Sequence, residues 1–227
     1  MKRYGQFCSL ARAAEILGER WALLIVRELL LGPKRYSDLM EALPGISTNV
    51  LATRLRDLED ETIIRRRVTP PPTPATLYEL TDDGIALKPA MDALADWGLR
   101  RLGAPSADEV RRPGWLLLGV AASTSARQSP ADAIVQLVVD GEAFAVTVDK
   151  QGMSVTQGTG MPTAATVRTS LATLYALATG STTVSAARSA GDFDVEGDRR
   201  SATVALEAIA HARIPSPTPH QPSKRQL

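Results

Sequence analysis

Cysteine is nearly missing from this chain of 227 residues: Cys8 stands alone, so no disulfide can close within it and a small, stapled fold is excluded. Histidine is almost as scarce, with only His211 and His220, and no cluster has the spacing of metal ligands, so no structural metal is expected. Aromatic residues make up 4% of the chain, but hydrophobic ones make up 44%, enough for real cores built from aliphatic side chains. No apolar run approaches a membrane span, and Cys8-Ser9-Leu10-Ala11-Arg12 interrupts any leader-like stretch with polar residues and charge. No membrane partner is expected, and the cytoplasm is the expected location. An excess of one charge sign is also lacking. The formal net charge is +1, and residues 1–103 hold 15 Lys and Arg against 14 Asp and Glu. Any basic surface must therefore be local. Catalytic signatures are absent too: there is no nucleophile elbow, Walker loop or dinucleotide fingerprint, and Gly158-Thr159-Gly160 lacks a strand-then-helix setting. Neither an enzyme nor a cofactor is expected.

What is present is concentrated around Pro44-Gly45-Ile46-Ser47, which breaks one helix and opens another at Thr48. Ser47 suits an N-cap, because its hydroxyl can accept a free backbone N–H of the first turn. At about 100° per residue, Leu51, Leu55 and Leu58 stack on one stripe; Asn49, Thr53 and Arg56 fall nearly opposite, with Ala52 beside them. Asn can bond adenine, Arg guanine or phosphate, and Thr and Ala can meet a thymine methyl, so the outer stripe suits DNA base edges. An ordinary amphipathic surface helix has the same pattern, and the flanks weigh against it. Upstream, a mostly buried helix over Trp21–Leu30 ends at Gly32-Pro33, and a short helix over Arg35–Leu43 follows, so that a helix-turn-helix results. Downstream, Thr62–Val68 and Leu77–Leu80 read as two strands around a proline-rich tip, a β-hairpin wing. Arg65, Arg66 and Arg67 at its base, with Lys34 and Arg35, are placed to neutralise phosphates. The candidate DNA-binding set is Lys34, Arg35, Ser47, Thr48, Asn49, Ala52, Thr53, Arg54, Arg56, Arg65, Arg66 and Arg67.

These residues, with Cys8-Ser9-Leu10-Ala11-Arg12-Ala13, Leu17-Gly18-Glu19-Arg20-Trp21, Arg27–Tyr36, Leu51–Glu59 and Tyr78-Glu79-Leu80-Thr81-Asp82-Asp83-Gly84, resemble the HxlR family of winged-helix transcription regulators, related to the MarR group. The resemblance implies a homodimer on double-stranded DNA, with one reading helix per copy in successive major grooves of a pseudo-palindromic operator. The proline-rich wing departs from most relatives. A helix from Asp82 to about Leu102 carries Ile85, Leu87, Met91, Leu94, Trp97, Leu99 and Leu102, more apolar surface than a small winged unit needs. The family pattern implies a dimer face there, with Trp97 and Phe7 in or near it; Trp97 capping its own core is the alternative. Cys8 matches a position that senses redox state in some family members. Arg12 one turn later and a helix N-terminus would favour thiolate, whereas a small buried hydrophobe at the dimer seam is the bland reading.

The second half changes rhythm. Ile134–Val139 leads through Asp140-Gly141, a type I′ turn signature, into Ala143–Val148. Strands follow near Met153–Gln157 and Ala165–Arg168, then helices over Ser170–Thr179 and Thr182–Ala190, a strand at Phe193–Gly197, and a helix that Asp198 caps. The fold class is α+β: a winged helix followed by an antiparallel sheet with helices on one side. The run Thr169–Gly180 with Gly191–Asp198 resembles the end of a sterol-carrier-protein-like domain. That resemblance implies an apolar ligand among Trp115, Leu117, Phe144, Val146, Leu171 and Leu174, though any one of them could be plain core. The expected division is 1–104 for DNA binding and dimerisation, 105–112 as linker, 113–213 as the sterol-carrier-like domain, and 214–227 as a disordered tail. The expected function is a homodimeric regulator, most simply a repressor, whose operator affinity responds to a small apolar ligand. A thiol sensor through Cys8 and a lipid carrier with a degenerate DNA module are the alternatives.

Overall fold

Apolar residues at helical spacing draw the first part of the chain together. The computed structural model describes residues 3–72, 74–99, 101–102, 108–124, 131–212 and 214, and two compact units emerge, 1–91 and 92–227. In the first unit, α1 (Ser9–Leu17) and α2 (Ala22–Leu30) lead to a short strand β1 (Lys34–Arg35), then α3 (Tyr36–Ala42) and α4 (Thr48–Asp60). The hairpin β2 (Ile64–Val68) and β3 (Thr76–Leu80) follows, and α5 (Asp82–Ala86) comes after it. The sheet runs β1-β3-β2 with both pairings antiparallel. Ile25, Leu39, Leu43, Leu51, Leu55 and Leu58 are fully buried in one core with Ile63, Ile64 and Leu80. Each such side chain contributes about 1.5–3 kcal/mol, so the three leucines of α4 hold it in place whatever its outer face carries.

Two elements differ from the sequence expectation. Lys34 and Arg35 pair with Tyr78 and Leu77 as strand, so the helix expected from Arg35 begins one residue later. The long helix expected from Asp82 is broken at Leu87, and α6 (Lys88–Leu99) starts afresh. Pro89 has no N–H to offer the Ile85 carbonyl, so the first segment closes instead with a tighter bond from Leu87 N–H to Gly84 O at 3.2 Å. No residue of α6 is buried, and Trp97 is 52% exposed, so among the described residues it is not enclosed in a core.

The N-terminal arm is tied back by one carboxylate. Glu15, the buried residue of α1, accepts the Tyr4 backbone N–H at 2.7 Å and an Arg12 N–H at 3.2 Å; Arg12 also reaches Glu61 at 2.7 Å. Arg12 thus serves Glu15 and Glu61 instead of the expected Cys8. Cys8 is exposed at the N-cap of α1. The Tyr4 N–H, and after it Arg12, hold the Glu15 carboxyl below its ordinary value of 4.5. A lowered folded value means that this anchor is complete above the ordinary value and is lost as pH falls through the folded one. Glu15→Ala should therefore raise hydrogen exchange at the Tyr4 amide at neutral pH. The wild-type chain should show the same loss only in acid, and a protected Tyr4 amide in the variant would refute the anchor.

The second unit is a two-layer arrangement. A helix α7 (Pro113–Thr124) precedes the hairpin of β4 (Ala133–Val139) and β5 (Glu142–Asp149). Asp140 and Gly141 turn it with φ of 48° and 89°, the type I′ geometry. After these come β6 (Gly152–Gln157), β7 (Ala165–Thr169), α8 (Leu171–Ala178), α9 (Val184–Ala190), β8 (Phe193–Gly197) and α10 (Arg199–Ala210). Ser170, Thr183 and Asp198 each accept first-turn N–H groups as N-caps. The strand order is β6-β5-β4-β7-β8. All pairs are antiparallel except β4 with β7, so the sheet is mixed and not the purely antiparallel one expected. The reason lies in residues 158–164. This connection leaves Ala143 through a Gly158 N–H bond, takes the Gln136 amide on the Gly158 carbonyl, and ends with Ala164 N–H on Ile134 O. It crosses β5 and β4 and delivers β7 in the same direction as β4. Val135, Leu137, Phe144, Val146 and Val167 fill the face under the helices, where α10 lies across β4, β5 and β7. No helix among the described residues is long and apolar enough to cross a membrane. Of the expected linker and tail, residues 105–107 and 215–227 lie outside the described residues, and 108–112 carry neither helix nor strand.

Candidate nucleic-acid interface

Helix α4 is set by short local bonds. Ser47 Oγ accepts the Val50 N–H at 3.4 Å, and Tyr36 Oη donates to the Thr48 carbonyl at 2.8 Å, joining the start of α3 to the start of α4. The Arg35 backbone N–H donates to Asp38 at 2.9 Å. With Leu51, Leu55 and Leu58 in the core, the remaining sides of α4 carry the candidate residues. Ser47, Thr48, Asn49 and Arg56 are exposed; Ala52 and Thr53 are half-buried. The Thr53 hydroxyl donates to the Asn49 carbonyl at 2.9 Å, which leaves its oxygen to accept. The Arg56 Nε donates to the Ala52 carbonyl at 3.3 Å. Among the described residues the Asn49 amide has no hydrogen-bond partner, so both its donor and its acceptor are available to a base.

Two candidates are redirected. Arg54 is 22% exposed and bridges Glu19 at 3.0 Å and Asp57 at 2.6 Å, which makes it a brace between α4 and the α1–α2 turn. Lys34 is 9% exposed, the most buried cation of the set. Pleating explains the second case, because alternate residues of a strand face opposite ways. Lys34, Tyr78 and Arg66 are register partners in one row across the sheet, and Arg35, Leu77 and Arg67 form the next. The Tyr78 row faces the core side, where Arg66 pairs with Glu59 of α4 at 2.9 Å. That carboxylate raises the Arg66 pKa above its ordinary value. The outer face carries Arg35, Arg65 and Arg67.

Glu79 is the partner of the wing arginines that the sequence reading missed. It binds both Arg65 and Arg67 at 2.8 Å, and those guanidiniums, Arg67 first, hold its carboxyl below the ordinary range. Only the register across the proline-rich tip pairs residue 79 with residue 65, and that register is not legible locally. The acidic end of α4 is likewise engaged: Asp57, Glu59 and Glu61 pair with Arg54, Arg66 and Arg12. Of the candidate ligand residues, Leu117, Phe144, Val146 and Leu174 are fully buried, and Trp115 and Leu171 half-buried. Phe144 and Val146 lie on the helix-covered sheet face; Leu117 and Leu174 come from α7 and α8, which pack together.

Comparison with known proteins agrees with this geometry. The family described as HxlR-like helix-turn-helix matches residues 16–105, and the SCP-2 sterol transfer family matches residues 117–209. An HTH-type transcriptional regulator of Synechocystis is 38% identical over 97 residues, 41% of this chain and 72% of that protein. The HTH-type transcriptional regulator YvaP of Bacillus subtilis is 42% identical over 86 residues, 38% of this chain and 80% of the relative. YodB of the same organism, also an HTH-type transcriptional regulator, is 39% identical over 85 residues, 37% of this chain and 76% of its own. The matches cover the winged helix and the sheet domain separately: this chain belongs to the HxlR-like helix-turn-helix family of transcriptional regulators, and its C-terminal sheet domain matches the SCP-2 sterol transfer family.

Proposed function

We propose that the chain binds duplex DNA as a homodimer, laying the first turns of α4 from each copy into successive major grooves. An apolar small molecule in the second domain modulates that binding, most simply in a repressor. The observation that carries the reading is the outer row of α4, where an unpartnered Asn49 amide lies beside Thr53 and Arg56 on a helix whose opposite side is wholly buried. Exposed Arg35, Arg65 and Arg67 on the adjoining sheet supply phosphate contacts; Lys34 and Arg54 act as structural groups. Large apolar side chains exposed in a single copy support dimerisation: Tyr4, Phe7 and Leu10 near the N-terminus, and Leu94, Trp97 and Leu102 in and after α6. The match to a sterol transfer family, together with the apolar layer around Phe144 and Leu174, supports an apolar ligand in residues 113–213.

The test is selection of fragments of genomic DNA by the purified full-length chain, followed by sequencing of what is retained. Recovery of a short two-fold-related motif is expected, and uniform recovery of all fragments refutes sequence reading. A fluorescent long-chain fatty acid that binds the second domain should then shift operator affinity by about 5–150-fold, the range of ordinary allosteric coupling. Binding of the probe without any shift would leave the second domain as a carrier unlinked to DNA.

A further inference from the structure

Arg65 and Arg67 lie two residues apart on β2, about 6.8 Å along the strand, and point to the same side. Each gives its Nε–H to a different oxygen of one carboxylate: Arg65 to Glu79 Oε1 and Arg67 to Glu79 Oε2, both at 2.8 Å. The carboxylate is 13% exposed, whereas the two arginines are 64% and 47% exposed. The choice of atom matters. The terminal fork of a guanidinium is the part that best fits phosphate. Contact through Nε leaves that fork to other acceptors, and among the described residues the terminal nitrogens of Arg65 and Arg67 donate no hydrogen bond.

We infer that Glu79 is a positioning residue of the DNA-binding surface, holding Arg65 and Arg67 by their Nε atoms so that their terminal nitrogens form a preorganised pair of forks for backbone phosphates. The inference rests on the DNA-binding reading above and adds a role for an acidic residue within it. Two free arginines would lose rotamer freedom on gripping phosphate, and fixing them beforehand removes that loss. A count of charges predicts the opposite sign, because a carboxylate beside phosphate repels it. The sign of one substitution therefore decides.

The experiment measures fluorescence anisotropy of a labelled mixed-sequence duplex over a series of salt concentrations. It compares the full-length wild type, Glu79→Gln, Arg65→Ala with Arg67→Ala, and all three changes together, each shown to be folded by circular dichroism. Glu79→Gln should weaken binding about tenfold, as lost preorganisation does. The double alanine variant should lower the slope of log affinity against log salt by about two contacts. In that background Glu79→Gln should no longer weaken binding. Strengthened or unchanged binding by Glu79→Gln alone would overturn the inference, as would equal weakening in both backgrounds, the mark of a merely structural role. If the wild type binds while the double alanine variant shows an unchanged slope, the inference falls and the DNA-binding reading stands. A wild-type chain that does not bind duplex DNA would overturn that reading itself.

Discussion

Replacing Asn49, Thr53 and Arg56 together by alanine is expected to abolish the preference for operator over unrelated duplex DNA while leaving salt-sensitive residual binding in place. Asn and Arg are the side chains able to pair with a base through two bonds, and each good pair of that kind is worth about 1–3 kcal/mol of discrimination. Losing both should lower the specificity ratio by about 30-fold or more. The fold should not suffer. Leu51, Leu55 and Leu58 keep α4 in the core, and the bonds from Thr53 and Arg56 go only to carbonyls of their own helix. Alanine is moreover a better helix former than Asn or Thr by a few tenths of a kcal/mol, so the melting temperature should hold or rise slightly. The readout is anisotropy on operator and unrelated duplexes side by side. An unchanged ratio would mean that a different face of the unit reads DNA.

Gly84→Ala is expected to destabilise the winged unit more than any other methyl added at a glycine of that unit. A Cβ at this position would lie 2.1 Å from the Ile63 carbonyl oxygen and 3.1 Å from Leu80 Cδ2. The carbonyl cannot retreat cheaply, because it accepts the Thr81 N–H at 3.0 Å and the Thr81 hydroxyl at 3.2 Å, while that hydroxyl also donates to Thr62 O at 2.5 Å. The Thr81 hydroxyl in turn caps α5 through the Gly84 N–H at 3.1 Å. Relief of the clash must pull this turn away from the end of β2. Overpacking of a core costs about 1–3 kcal/mol, and a collision with backbone belongs at the upper end or beyond. Gly98→Ala provides the contrast. Nothing lies within 4 Å of its Cβ, and alanine in α6 should stabilise the helix by about 0.5–1 kcal/mol. Urea melts of the two variants should therefore move in opposite directions, and a Gly84→Ala chain that melts with the wild type would show that the turn is not pressed against Ile63.

Arg65, Arg66 and Arg67 mark the limit of what can be read locally. In the sequence they are three equivalent cations beside a reading helix. In the fold, the two-residue repeat of a strand sends Arg66 toward Glu59 and its neighbours to Glu79, so equal charges acquire unequal jobs. Lys34 and Arg35 divide in the same way, one buried and the other exposed, although they stand side by side in the sequence. Helix α7 escaped the reading for another reason. Pro113–Thr124 is apolar on nearly every side, so no 3.6-residue stripe sets it apart from a strand or a core segment.

The sequence by itself determined the elements whose cause lies within a turn or two of chain. These are α4 with its Ser47 cap and leucine stripe, the Asp140-Gly141 hairpin, and the cap at Asp198, each a matter of local bonds and periodicity. Only the tertiary structure decided what depends on residues far apart meeting: the parallel pairing of β4 with β7, the brace of Arg54 on Glu19, and the seating of two arginines on Glu79. Their partners are brought together by strand register and chain crossing, and a shift of one residue in register would turn every side chain of a strand to the opposite face.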